Sequence, residues 1–321
     1  MPHLPSPAAV RQLLATTALP GGAHADVRPI EEGGEHSSWW VGADHVLRLA
    51  LDIDGSVRQR REIALRDLVR PRVGAAVPAS VAHGEWTAGR TYTLDTKLPG
   101  TSAERRPVSR AGEADLAGLL AGLRSVEPAK AVAVGLPQPT PRALDELWRT
   151  ALRAGERLVR DGEFSPVHRA QLSAAPAGLS RTHHPRDAAF AVPPDQAQPS
   201  APDPVATVGH HDLKGEHLLV TAGGRVGGVL DWTDAALGDP AEDIAGLTIS
   251  VGAPAAVRAA ELAGYGPAIW LRGVLLARFD TLVRLADRCY EGEDSPLPLL
   301  RAQRDRAWLT LPTAQPTRPA P

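Results

Sequence analysis

Cysteine is almost absent from this chain: Cys289 stands alone among 321 residues, which excludes an internal disulfide framework and fits a reducing compartment. Lysine is nearly as scarce, at Lys97, Lys130 and Lys214, whereas arginine is abundant, so the place of each lysine is informative. Charge of one sign is not in excess. The formal net charge of −2 argues against a general nucleic-acid binder, which carries a basic surplus or stripe. Long apolar runs are missing as well; the stretch 268–286 is interrupted by Arg272, Arg278, Asp280 and Arg284 and reads as a buried helix, with no membrane partner expected. The first twenty residues lack a basic segment followed by a continuous apolar run, so no secretory leader is expected and the cytoplasm is the expected location. What is present is ample core material, with hydrophobic residues at 43%.

The residues fall into two differently patterned stretches. A short helix over 8–16 precedes β-prone runs at 27–30, 37–41 and 45–49, the last two joined by Gly42-Ala43-Asp44 as a hairpin. The spacing of Ile63, Leu65, Leu68 and Val69 predicts a helix over 57–69, ended before Pro71. Strands follow around 78–82 and 90–96, and Leu98-Pro99-Gly100 breaks the chain. Thereafter the period is helical. Leu116, Leu119, Leu120 and Leu123 share one face behind Ser109 as N-cap, and Leu144, Leu147, Trp148, Leu152 and Leu158 build a second helix ended by Asp161-Gly162. A third is expected over 167–172, a Pro- and Ala-rich loop over 176–204, and further helices after Pro240. The expected division is a β-rich lobe over 1–97, a helical lobe over 98–311 and a disordered tail over 312–321.

Between the helical stretches lies His210-His211-Asp212-Leu213-Lys214-Gly215-Glu216-His217-Leu218-Leu219-Val220, then a turn at Gly223-Gly224, then Val226-Gly227-Gly228-Val229-Leu230-Asp231-Trp232. A polar loop, an apolar strand, a tight turn and a second strand bring Asp212 and Asp231 to one edge. Phosphoryl transfer needs such a set: a base for the nucleophile, a carboxylate for magnesium and cations for the phosphates. No G-x-x-x-x-G-K-[ST] loop, G-x-S-x-G elbow or zinc-ligand spacing competes with it.

This segment, with Gly238-Asp239-Pro240-Ala241-Glu242-Asp243 behind it, resembles the catalytic and metal-binding motifs of the aminoglycoside phosphotransferase and choline kinase family. The family text is H-G-D-x-x-x-x-N, then I-D-W, then G-D-P-x-x-D. The resemblance implies an α+β, two-lobed protein-kinase-like fold, with a small antiparallel β lobe carrying one main helix and a larger helical lobe. It implies Asp212 as catalytic base, Asp231 as magnesium ligand, and Asp239 and Asp243 as braces of the loop. His217 stands where the family has asparagine; it is a candidate metal ligand, direct or through water, and alternatively a donor to phosphate. Lys214 sits where protein kinases carry their catalytic-loop lysine, either touching the γ-phosphate or remaining a solvated loop residue.

The β-rich stretch would then hold ATP or GTP with Mg²⁺. Gly33, Gly34 and Ser37 occupy the place of the phosphate-covering loop, though the same residues also suit a plain hairpin. The third strand offers Arg48 where the family carries lysine, and Glu62 is its natural partner on the next helix. Asp95 and Lys97 lie on the expected hinge beside the base. The implied acceptor is a small molecule with a free hydroxyl, foremost an aminoglycoside, macrolide or cationic peptide antibiotic. A kinase of choline, homoserine or a sugar is the alternative, and a nucleotide-binding pseudokinase the reading from another class.

Overall fold

The computed structural model describes residues 5–17, 19–30, 36–174 and 206–311. Gly33, Gly34, the 176–204 stretch and the 312–321 tail lie outside the described residues. The chain forms two compact units, the first comprising Met1–Pro139 with Thr207–Leu237 and the second Thr140–Ala206 with Gly238–Pro321.

The first unit is built on an antiparallel sheet of β1 (Val27–Pro29), β2 (His36–Val41), β3 (His45–Ala50), β4 (Ser80–Thr87) and β5 (Arg90–Thr96), in the order β1-β2-β3-β5-β4. Strand alternation sorts its two faces. Leu47, Leu49, Tyr92 and Leu94 bury one face with Val10 and Leu14 of helix α1 (Pro7–Ala15). The intervening residues Arg48, Thr93 and Asp95 fall on the other face, where the register sets Arg48 opposite Thr93. Helix α2 (Ile53–Val69) supplies Gln59, Glu62 and Arg66 to the same polar side; Gln59 donates to the Arg48 carbonyl at 3.1 Å. This helix begins four residues before the expected start at 57, because Asp52 caps it by accepting from the Gly55 amide at 2.6 Å.

The hairpin of the sequence motif also belongs to this unit. Strands β7 (Thr207–Gly209), β8 (Leu218–Val220) and β9 (Val226–Val229) flank it, and β8 pairs with both β9 and the short β6 (Thr101–Ser102). The break expected near residue 98 thus falls inside the first unit. Ala76 adds a second tie, donating to the Gly227 carbonyl at 3.0 Å and accepting from Val229 at 2.9 Å. Helix α3 (Arg110–Arg124) starts as expected at Ser109, whose hydroxyl accepts from Gly112 and whose amide donates to the Gly224 carbonyl at the hairpin turn. Helix α4 (Pro128–Ala133) completes the unit's described helices.

The second unit is helical: α5 (Leu144–Arg160), α6 (Pro166–Ala174), α7 (Ala241–Val251), α8 (Ala253–Leu262), α9 (Pro267–Tyr290) and α10 (Leu297–Ala307). Its core gathers Leu158, Phe164, Leu276, Phe279, Leu282 and Trp308. Helices α7 and α9 touch at Gly273, where an added Cβ would meet the Ile244 side chain at 2.7 Å, so only glycine permits this approach. No described helix is long and apolar enough to cross a membrane.

Candidate active site

The loop after β7 is organised by a histidine that the sequence motif does not mark as chemical. His210 is fully buried, with Nε2 2.8 Å from the Leu230 carbonyl and Nδ1 3.3 Å from the Asp212 amide. A carbonyl accepts and an amide donates, so the ring is neutral with its proton on Nε2. Its face meets Trp232 edge-on at 4.7 Å between centroids. One imidazole therefore ties the start of the loop to the end of β9, where Asp231 follows. His211, at the place of the family's glycine, has φ 61°, and Asp231 has φ 55°; both stand in the left-handed region that side chains occupy at a cost.

Asp212 and Asp231 lie on opposite edges of the His217 ring. Nδ1 of His217 is 2.8 Å from the Asp212 carbonyl and 3.4 Å from Asp212 Oδ2, while Nε2 is 3.8 Å from Asp231 Oδ2. The two carboxylates are therefore about one imidazole apart. Lys214 closes the group, its Nζ 2.6 Å from Asp212 Oδ1. The helical turn Gly215–His217 that carries the histidine is anchored from β6, with the Ser102 hydroxyl donating to the Gly215 carbonyl at 3.0 Å.

Above this loop stands a buried network of two arginines and two carboxylates. Arg48 Nη1 donates to both Glu62 oxygens at 2.8 and 2.9 Å and lies 4.0 Å from Asp95 Oδ2. Arg66 donates to Asp95 at 3.1 Å, and Asp95 also accepts from Ser80 at 2.6 Å and Thr93 at 3.1 Å. Burial opposes the Arg48 charge, but Glu62, Asp95 and Asp231 outweigh it and hold the guanidinium above its ordinary range. Burial likewise opposes ionisation of Asp95, and Arg66, Ser80 and Arg48 reverse this and hold its carboxyl below the usual value. Asp231 follows the same pattern: desolvation pushes it up, while Arg48, His217 and hydrogen bonds from Thr233 pull it lower overall.

The expected residues thus form one constellation of Asp212, Lys214, His217, Asp231, Arg48, Glu62 and Asp95, with exceptions around it. The Lys97 ammonium sits over the Trp40 ring at 4.4 Å, and its amide donates to the Asp44 carbonyl. Ser37 accepts from the Trp39 indole at 3.0 Å. In the second unit, Asp239 accepts from the Ala241 amide at 2.9 Å and pairs with Arg272, and Asp243 is buried. Sequence reasoning gave no role to Arg66, to Thr233 or to His210, although His210 stands at the first letter of the motif. Arg66 stands at i+4 from Glu62, a spacing that could have flagged it; Thr233 carries no signal in spacing or composition.

A family model described as the phosphotransferase enzyme family matches residues 26–276. The chain belongs to that family. A curated relative, viomycin phosphotransferase of Streptomyces vinaceus, is 27% identical over 215 residues, 64% of this chain and 67% of its own. Among solved structures, a GDP complex of aminoglycoside 2'-phosphotransferase-IIIa matches with TM-score 0.59 at 20% identity, covering 88% of this chain and 92% of the other. The macrolide 2'-phosphotransferase of Brachybacterium faecium matches with TM-score 0.55 at 22% identity, over 95% and 99%. At such identities the structural likeness speaks for the fold, which is the α+β kinase-like fold the motifs implied. The phosphotransferase is a small-molecule kinase.

The donor chemistry around Asp231 fits a divalent cation. Nδ1 of His217 is engaged by the Asp212 carbonyl, which leaves Nε2, 3.8 Å from Asp231 Oδ2, as the ring nitrogen available to a cation shared with Asp231. The Asp231 side chain is 49% exposed and takes its hydrogen bonds from Thr233, whose amide reaches Oδ1 at 3.4 Å. Among the described residues no group of three or more His, Cys, Asp and Glu is placed to hold a metal. Magnesium in nucleotide sites takes one or two protein ligands and completes its shell with water and phosphate oxygens, so two residues suffice.

Proposed function

We propose that this phosphotransferase moves the γ-phosphoryl group of ATP or GTP onto a hydroxyl of an antibiotic of the aminoglycoside, macrolide or cationic peptide type. The observation that carries the reading is the pair of carboxylates, Asp212 and Asp231, on the two edges of His217 with Lys214 bound to the first. In this reading Asp212 accepts the proton of the acceptor hydroxyl as its oxygen bonds to the γ-phosphorus and the bridging bond to the nucleoside diphosphate breaks. Lys214, already beside Asp212, meets the negative charge of the γ-phosphate. Arg48, held by Glu62, faces the nucleotide phosphates, with Asp95 and Arg66 setting its direction from behind. Asp231 and His217 are the residues that would hold Mg²⁺, which supplies charge neutralisation on the phosphate oxygens when bound.

Residues 1–97 serve as the nucleotide lobe, Ser37 and Lys97 flank the nucleotide, and 98–311 carry catalysis and the acceptor site. The work is done in the cytoplasm, where nucleoside triphosphate and magnesium are at hand. The antibiotic acceptor rests on the relatives, which are named for viomycin, aminoglycosides and macrolides.

The test is nucleoside diphosphate release by purified protein with Mg²⁺ and ATP or GTP across antibiotics and hydroxylated metabolites, beside Asp212→Asn. Turnover confined to antibiotics, lost in the variant, is expected. Turnover with choline, homoserine or a sugar alone would overturn the acceptor class, and turnover surviving Asp212→Asn would overturn the mechanism.

A further inference from the structure

Two residues beyond Asp231 stands Thr233, which the motif leaves without a role. Contacts to four residues meet at it, and its side chain as well as its amide hydrogen-bonds to Asp231. Its amide reaches Asp231 Oδ1 at 3.4 Å, and its carbonyl accepts from Arg61 Nη2 at 3.2 Å. Its hydroxyl lies 3.4 Å from Glu62 Oε2 as donor and 3.5 Å from Arg48 Nη2 as acceptor. A hydroxyl has one proton and two lone pairs, so it can serve both partners at once, whereas a methyl group in its place serves neither.

The location gives these contacts their meaning. Asp231 turns the chain through the left-handed region, φ 55°, a conformation that persists only where the surroundings hold it. Trp232 anchors one side of that turn, fully buried with its indole donating to the Val229 carbonyl at 3.2 Å. Thr233 anchors the other side, and its anchors are Arg61 and Glu62 of helix α2 and Arg48 of strand β3. The arginine–glutamate pair and the half-exposed carboxylate are carried by segments far apart in the chain; charge attraction between Arg48 and Asp231 draws them together, and Thr233 adds hydrogen bonds to both.

We infer that Thr233 is a positioning residue that couples the Arg48–Glu62 pair to Asp231, so that metal at Asp231 and nucleotide phosphates at Arg48 strengthen each other's binding. The inference rests on the roles given to Arg48 and Asp231 above. It adds the residue through which the two act together. The hydroxyl is the group that is needed: serine keeps the hydrogen bonds, and valine keeps only the shape.

The experiment is nucleotide binding, with no acceptor and no turnover, measured by titration calorimetry with a non-hydrolysable triphosphate in the presence and absence of Mg²⁺. The ratio of the two dissociation constants is the coupling. Thr233→Val is expected to shrink the magnesium-induced tightening by about tenfold. Its thermal midpoint without ligand should stay within a few degrees of the parent protein. Thr233→Ser is expected to restore most of the tightening. A Thr233→Val protein with the parent's coupling would overturn the inference, as would a Thr233→Ser protein as deficient as the valine variant. If the parent protein binds nucleotide with no gain from Mg²⁺, the assignment of Asp231 falls first and this inference with it.

Discussion

Lys214 Nζ lies 2.6 Å from Asp212 Oδ1, so the rarest basic residue type in the chain is paired with the proposed base. The pairing separates two roles that one substitution would blur. Asp212→Asn keeps the size and loses the proton acceptor; kcat should fall by about 10²–10⁴ with nucleotide affinity retained. Lys214→Met should lower kcat by about 10- to 100-fold and raise the KM for nucleotide as well, because the ammonium meets the transferred phosphate. Steady-state kinetics on both variants check this, and equal loss of kcat alone in the two would count against a phosphate role for Lys214.

His217 replaces an asparagine of the family pattern, and its ring lies between Asp212 and Asp231. If the ring serves the metal, His217→Asn should keep activity within about tenfold, since the amide oxygen is a harder ligand that suits Mg²⁺. His217→Leu should raise the magnesium needed for half-maximal nucleotide binding by about tenfold or more. A magnesium titration of binding reads both, and complete inactivity of His217→Asn would point to a role that only imidazole fills.

Asp95 provides a pH signature. Its folded carboxyl titrates below the ordinary 3.8, since Arg66, Ser80 and Arg48 outweigh its burial. Its contribution to stability is therefore complete above that ordinary value and is lost as pH falls through the lower folded one. Asp95→Asn should flatten the acid side of the stability curve below about pH 4. At neutral pH it should cost about 1–3 kcal/mol, because buried Arg66 loses a charged partner and keeps Ser80 at 2.8 Å and Glu62 at 3.9 Å. Urea unfolding at several pH values measures both effects; an unchanged acid slope would show that Asp95 does not carry it.

In the second unit Arg142 is gripped from two sides. It donates to both Glu242 oxygens at 2.9 and 2.7 Å and to both Asp280 oxygens at 2.9–3.0 Å, joining the start of α5 to α7 and α9. Arg142→Met leaves two partly buried carboxylates facing each other and should cost about 1–3 kcal/mol. Adding Glu242→Gln and Asp280→Asn should recover part of that loss. Denaturant melts of the single and triple variants decide it, and a triple variant weaker than the single one would refute the repulsion.

Much of the candidate site was legible in the chain because it lies within one continuous loop and hairpin. Asp212, Lys214, His217 and Asp231 are bound to each other by the geometry of a short strand and a Gly-Gly turn, and local spacing encodes such geometry. The pairing of Arg48 with Glu62 was legible too, through strand alternation and helix placement. The burial and partnership of Asp95 were not, because nothing in Tyr92-Thr93-Leu94-Asp95 tells which face meets an arginine from α2. Nor does sequence spacing announce that His210 holds Leu230, twenty residues away, or that Thr233 reaches α2.

The sequence by itself determined the family: its motifs carry the proposed base, the proposed metal carboxylate and the Arg48–Glu62 ion pair in one recognisable order. The tertiary structure decided how these are held. Hydrogen bonds between segments far apart in the chain depend on which faces meet after folding, and side-chain identity alone does not specify that. Lys214 beside Asp212 is the local kind of contact, and Thr233 between Arg48, Glu62 and Asp231 is the kind that only the folded chain discloses.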